Sequence, residues 1–118
     1  QRQMCIRDRS PTAAVICYND IMALGFIRGL HRRGISVPGD VSVIGFDNSQ
    51  TGQLTSPSLT SVAAPLDQLG QIAAQNLIAV IQGARSSQEP LSLPTRLIVR
   101  ESTGPATPLA DLRRRLRA

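Results

Sequence analysis

The sequence predicts an α/β fold built on a parallel βαβ core. Three observations carry this reading: a short apolar run from Ala13 to Tyr18 (AAVICY), a second from Val41 to Phe46 (VSVIGF), and helical apolar spacing between them. Two strands separated by a helix run parallel, and their crossover is right-handed.

The first run is apolar throughout, the pattern of a strand covered on both faces. Asn19-Asp20 follows as an N-cap, because a short polar side chain accepts a hydrogen bond from the free N–H groups of a first helical turn. Ile21, Leu24, Ile27 and Leu30 then recur at every third position, flanked by Met22 and Phe26. The helix they define ends near Arg33, with Gly34 as its C′ residue. Gly34 to Asp40 (GISVPGD) is turn chemistry, and Val41 to Phe46 is the second strand. Asp47 to Ser58 reads as a polar loop, and Leu59 to Ala64 (LTSVAA) as a short strand. Pro65 opens the longest helix, whose apolar stripe is Leu69, Ile72, Ala73, Leu77, Val80 and Ile81, and Gly83 stops it. A connection with Ser and Pro runs from Arg85 to Leu93, and Thr95 to Glu101 (TRLIVRE) reads as a final strand.

Of the 118 residues 42 % are hydrophobic and 18 % charged, which is ordinary globular composition. No apolar run reaches the roughly 18 residues of a membrane helix, and no signal-peptide pattern opens the chain. A soluble cytoplasmic protein is expected. The formal charge of +5 invites a nucleic-acid reading, but its location argues against one. Residues 1–10 net +2, residues 105–118 net +3, and the body between them is neutral. We expect residues 1–10 (QRQMCIRDRS) to be a non-native or disordered leader, and 105–118 a disordered basic tail. The two cysteines, Cys5 and Cys17, form no metal-binding or redox spacing, and Cys17 reads as a small buried residue.

Ligands of open parallel sheets sit outside the carboxyl ends of the strands. Asn19 directly follows the first strand and Asp47 the second, so neighbouring strands would bring both side chains to one crevice. An amide that donates and accepts, beside a carboxylate that accepts, suits vicinal hydroxyls or ring N–H groups. The alternative is local: Asn19 as a helix cap and Asp47 as the start of an Asx-turn, with Asp20 as a cap. Catalysis is not expected, since no nucleophile, oxyanion hole or metal cluster accompanies the pair. Phosphate-cradling glycine motifs are missing. The single histidine, His31, sits beside Arg32 and Arg33 near a helix end, where it suits the surface and the helix dipole.

The series YNDIMALG, GISVPGDVSVIGFDNS, SPSLTSV, LGQIAAQNLIAVIQG and LPTRLIVRES closely resembles the end of the effector-binding domain of lac-repressor/galactose-repressor (LacI-type) transcription regulators. The resemblance covers about residues 11–103 and keeps the order and spacing of the motifs. It implies a partial periplasmic-binding-protein-like (type I) fold, mainly the C-terminal lobe, with residues 11–104 as the last part of an effector domain. Asn19, Asp47 and Leu66 match effector-contacting positions; Leu66 is aliphatic where some relatives carry an aromatic residue. Leu24, Arg28, Leu54 and Thr55 match a dimer surface. Residues 66–93 would cross to and pack on an N-terminal lobe outside this sequence. The implied protein needs no cofactor. It senses a sugar or nucleobase-like metabolite, pairs as a homodimer, and touches operator DNA only through an N-terminal helix-turn-helix. The alternative with the same fold is a transporter's periplasmic sugar-binding protein.

Overall fold

The computed structural model describes residues 14–84 and 91–105. The proposed leader 1–10 with Cys5, residues 85–90 of the connection, and the basic tail from residue 106 lie outside the described residues. Seven elements follow in order: β1 (Ala14–Ile16), α1 (Asp20–His31), β2 (Ser42–Phe46), α2 (Gln50–Leu54), β3 (Thr60–Ala63), α3 (Leu66–Ile81) and β4 (Arg96–Ile98). The four strands form one sheet in the order β1-β2-β3-β4. β1, β2 and β3 are parallel, and β4 returns antiparallel on β3. The βαβ unit read from the sequence is therefore present.

α1 supplies the core. Ala23, Ile27 and Leu30 lie on one helical face and meet Val43 of β2, Leu59, and Val37 and Val41 of the preceding turn. Gly34 closes the helix as expected: its φ of 71° is left-handed, and the Gly34 and Ile35 N–H groups bond the His31 and Leu30 carbonyls. Gly83, at φ 92°, ends α3 by the same device, with bonds from Gly83 and Ala84 to Val80 and Ala79. In the turn between α1 and β2, the buried Asp40 accepts from both the amide and the hydroxyl of Ser36.

Three readings change. The polar loop 47–58 contains the short helix α2, capped by Ser49, whose hydroxyl accepts from the Gly52 N–H at 3.2 Å. β1 is covered on one face only, because α1 packs on that side and nothing among the described residues lies on the other. Ala14 and Ile16 are accordingly exposed while Val15 and Cys17 pack on the core. The final strand is shorter than Thr95–Glu101, because residues 100–104 leave the β4 ladder and turn into the base of the sheet. There the Ser102 carbonyl accepts from the Val43 N–H at 2.8 Å, and its hydroxyl donates to the Val43 carbonyl at 2.6 Å.

α3 has an amphipathic sequence but no buried residue. Leu69, Leu77, Ile78 and Ile81 are among its exposed large apolar side chains. An apolar stripe without a packing partner leaves a helix dependent on its own marginal hydrogen bonding. In native-state hydrogen exchange on these 118 residues, α3 amides are expected to exchange far faster than those of α1 and β2. Equal protection would mean that α3 has found a partner.

Candidate functional site

The site is built where β1 and β2 end. β1 and β2 pair in register, Ile16 opposite Ile44, and Asn19 and Asp47 each stand just past the carboxyl end of one of these strands. β3 ends beside them: the Asp47 N–H donates to the Val62 carbonyl at 3.0 Å, and Leu66 begins α3 a few residues on. Asn19, Asp47 and Leu66 therefore all lie at the carboxyl end of the parallel strands, where such sheets hold ligands.

Asn19 is the N-cap of α1. Its Oδ1 accepts from the Met22 N–H at 2.8 Å, so the local alternative holds for this residue's oxygen. Asp20 is not a second cap. It is 1 % exposed, and its carboxylate crosses to two other elements. Oδ2 accepts from the Ser49 N–H at 2.6 Å, and Oδ1 accepts from the Ser61 hydroxyl at 2.6 Å. Its place at the start of α1 adds the favourable end of the helix dipole. Gly45 makes the approach possible, since a Cβ there would stand 2.1 Å from Asp20 Oδ1 and 2.9 Å from the Leu59 side chain. The sequence shows Asp20 as one more polar residue at a helix start; the only clue to its role is the glycine in the middle of an otherwise apolar strand.

Asp47 differs from Asn19. An Asx-turn at Asp47 would need the N–H of residue 49, and that N–H is bonded to Asp20. The Asp47 side chain is exposed and has no bonding partner among the described residues. Its backbone is left-handed at φ 101°, and Asn48 follows at φ 54°. Non-glycine residues in such conformations cost about 1–3 kcal/mol each and persist only where their surroundings over-determine them. The surroundings do so here. The Asn48 N–H donates to the Ser61 hydroxyl at 3.0 Å, and Arg100 donates through Nη2 to Asn48 Oδ1 at 2.6 Å and through Nη1 to the Leu59 carbonyl at 2.7 Å. Ser61, Asn48 and Arg100 thus belong to the site, and sequence reasoning passed over all three. Their signal is non-local.

Leu66 is exposed, 53 % of its surface being open, and would present an aliphatic side chain to a ligand. The proposed dimer residues gather elsewhere. Leu24, Arg28 and Thr55 line one open groove of about 620 Å³, together with His31 and Pro57. Leu54, on α2, is 88 % exposed. Asn19, Asp47 and Leu66 do not line this groove. Cys17 is half-buried, and burial pushes its thiol above the ordinary value, which makes it a poor nucleophile. Among the described residues, no three His, Cys, Asp or Glu side chains are grouped to hold a metal ion, and no helix is long and apolar enough to cross a membrane.

The floor of the sheet has its own polar lock. Ser58 donates its amide and hydroxyl to the Glu101 carboxylate at 2.8 and 2.9 Å. Those two bonds, the amide's first, hold the Glu101 carboxyl below the usual glutamate range.

An open, mostly parallel sheet with polar side chains at its strand tips suits a ligand-binding lobe. Residues 1–103 match the profile of the Periplasmic binding protein-like domain, and the chain belongs to that family. Its similarity is to LacI-type regulators of transcription. It is 37 % identical over 98 residues to the HTH-type transcriptional regulator DegA of Bacillus subtilis, a match covering 83 % of this chain and 29 % of that protein. It is 42 % identical over 93 residues to the HTH-type transcriptional regulator MalR of Streptomyces coelicolor, covering 79 % and 27 %. Among solved structures, it is similar to a LacI family transcriptional regulator from Enterococcus faecium with bound ribose. That match has a TM-score of 0.75 at 39 % identity, and covers 83 % of this chain and 37 % of the other. The chain spans about three tenths of the length of the curated relatives it matches.

Replacing Gly45 by Ala drives a methyl group into the Asp20 carboxylate, and overpacking of this kind costs about 1–3 kcal/mol. A shift of the urea midpoint to lower concentration is the expected reading; an unchanged midpoint would show that Asp20 is free to move. Because the folded carboxyl of Glu101 titrates below the unfolded one, its contribution is complete above the ordinary glutamate range and fades as pH falls through the lowered value. Glu101→Gln is expected to flatten that acid limb by lowering stability at neutral pH, where the contribution is present, with the two proteins converging in acid. A profile as steep as the wild type's would assign the limb to other carboxylates.

Proposed function

We propose that this chain is the effector-sensing and dimerising C-terminal part of a LacI-type transcription regulator, working in the cytoplasm without catalysing a reaction. The observation that carries the reading is the Asp47 carboxylate, exposed at a strand tip and held in a left-handed loop that spends hydrogen bonds to keep it there. Such a group accepts from the hydroxyls of a sugar, and the Enterococcus faecium relative has ribose bound. Asn19 and Leu66 supply the neighbouring wall, with the opposite wall coming from an N-terminal lobe.

Residues 66–93 would pack on that lobe. Burial of each exposed leucine or isoleucine of α3 would be worth about 1.5–3 kcal/mol. A second copy of the protein would meet the Leu24, Arg28 and Thr55 groove and the exposed Leu54 beside it. Effector in the cleft would favour one orientation of the lobes and so change how a dimer's helix-turn-helix segments hold operator DNA. The names of the curated relatives favour this over the transporter's sugar-binding protein.

Full-length protein carrying Asp47→Ala is expected to lose the thermal stabilisation that a saturating effector gives, with affinity down by about tenfold or more. Its ligand-free melting temperature is expected to fall only slightly: the side chain makes no hydrogen bond to a described residue, and Ala tolerates the left-handed backbone somewhat less well than Asp. Undiminished effector response in Asp47→Ala would overturn the assignment of the site.

A further inference from the structure

Asp47 can serve a ligand only while its loop keeps two successive left-handed residues, and the loop is gripped from two directions. On one side Asp20 takes the Ser49 N–H. On the other, Arg100 reaches in from the segment that follows β4 and binds the Asn48 side chain. We propose that Arg100 is a positioning residue for the effector site, acting through Asn48 to hold Asp47 in its ligand-accepting conformation. This rests on the reading of Asp47 as an effector contact.

The geometry of the guanidinium is what the role needs. One nitrogen, Nη1, is fixed on the Leu59 carbonyl at the entry to β3, and the other, Nη2, is fixed on Asn48 Oδ1 at 2.6 Å. The Arg100 backbone N–H is itself anchored by the Thr60 hydroxyl at 2.8 Å. A rigid fork with one tine on the sheet sets where the other tine holds the loop, which a flexible ammonium cannot do. Asn48 is suited to the receiving end for two reasons. Its side chain accepts from Arg100, and asparagine tolerates the left-handed backbone better than most residues. Its N–H on Ser61 joins this arm to the Asp20 arm, since the Ser61 hydroxyl donates to Asp20. In this role Arg100 acts through Asn48. It is continuous with β4, so a displacement of that strand reaches Asp47 through a single side-chain hydrogen bond.

The test compares three variants of the full-length protein by calorimetric titration with D-ribose, alongside their ligand-free melting temperatures. Arg100→Lys removes the fork, Asn48→Gly keeps the left-handed freedom without the acceptor, and Asn48→Asp keeps both. Arg100→Lys and Asn48→Gly are each expected to weaken ribose binding about tenfold, the scale of one charge-assisted bond, and the double variant no further. Asn48→Asp is expected to bind close to wild type. A purely structural role would instead lower the melting temperature of Arg100→Lys while affinity in Asn48→Gly stayed unchanged, and that result overturns the proposal. If the wild type fails to bind ribose, the choice of sugar fails separately. The ligand-free protein then decides: the three-bond HN–Hα coupling of Asp47 is expected to change in Arg100→Lys, and an unchanged coupling overturns the positioning role.

Discussion

The Asp20 carboxylate is the constraint on which the site depends. It is buried at the start of α1, yet both of its oxygens are spent on other elements, one on the loop after β2 and one on β3. A buried charged group is tolerable only when its hydrogen bonds are made, and these bonds fix three segments to one another at the strand tips. Two further features follow from it. β2 carries a glycine at position 45 because the carboxylate needs that space, and α2 starts where it does because Ser49, held by its N–H, can turn its hydroxyl to Gly52.

The same bond decides the chemistry available at Asp47. By removing the N–H that an Asx-turn would use, Asp20 leaves the Asp47 carboxylate without a hydrogen-bond partner among the described residues. Two acidic side chains therefore divide the work: the buried one organises the loop and the exposed one faces solvent. The cost is local backbone strain at residues 47 and 48, offset by the bond the Asn48 N–H gives to Ser61 and the bond its side chain takes from Arg100. Strain held this way marks a place where conformation matters more than stability.

The βαβ core was legible because it is written in local patterns: apolar runs of strand length, a helical period, a capping Asn19 and a closing Gly34. That Asn19 and Asp47 each follow the carboxyl end of a parallel strand was legible from the same pattern. The elements that escaped are those whose cause lies far along the chain. α2 has five residues and no period to read, only the Ser49 cap. Asp20 looks like any acid in a first helical turn until Ser49 and Ser61, 29 and 41 residues away, are placed against it. Arg100 and Asn48 are separated by 52 residues, and nothing in the spacing of either announces the other. An apolar run likewise says that a strand is buried, but not which neighbour supplies each cover. For β1, only the side against α1 is covered among the described residues.

Ser102 is completely buried at the base of the sheet, bonded to Val43 and to Thr60, from which it is 59 and 42 residues distant. Its hydroxyl completes the pairing of two strands made much earlier in translation. A nascent chain that has just extruded β2 and β3 from the ribosome still has this seam open, and it stays open until the last segment arrives. Contacts of such long range are slow to form and leave unpaired strand backbone open to misassembly meanwhile. Premature termination only a few codons before Ser102 would therefore leave that seam unpaired and harm the folding of everything already made.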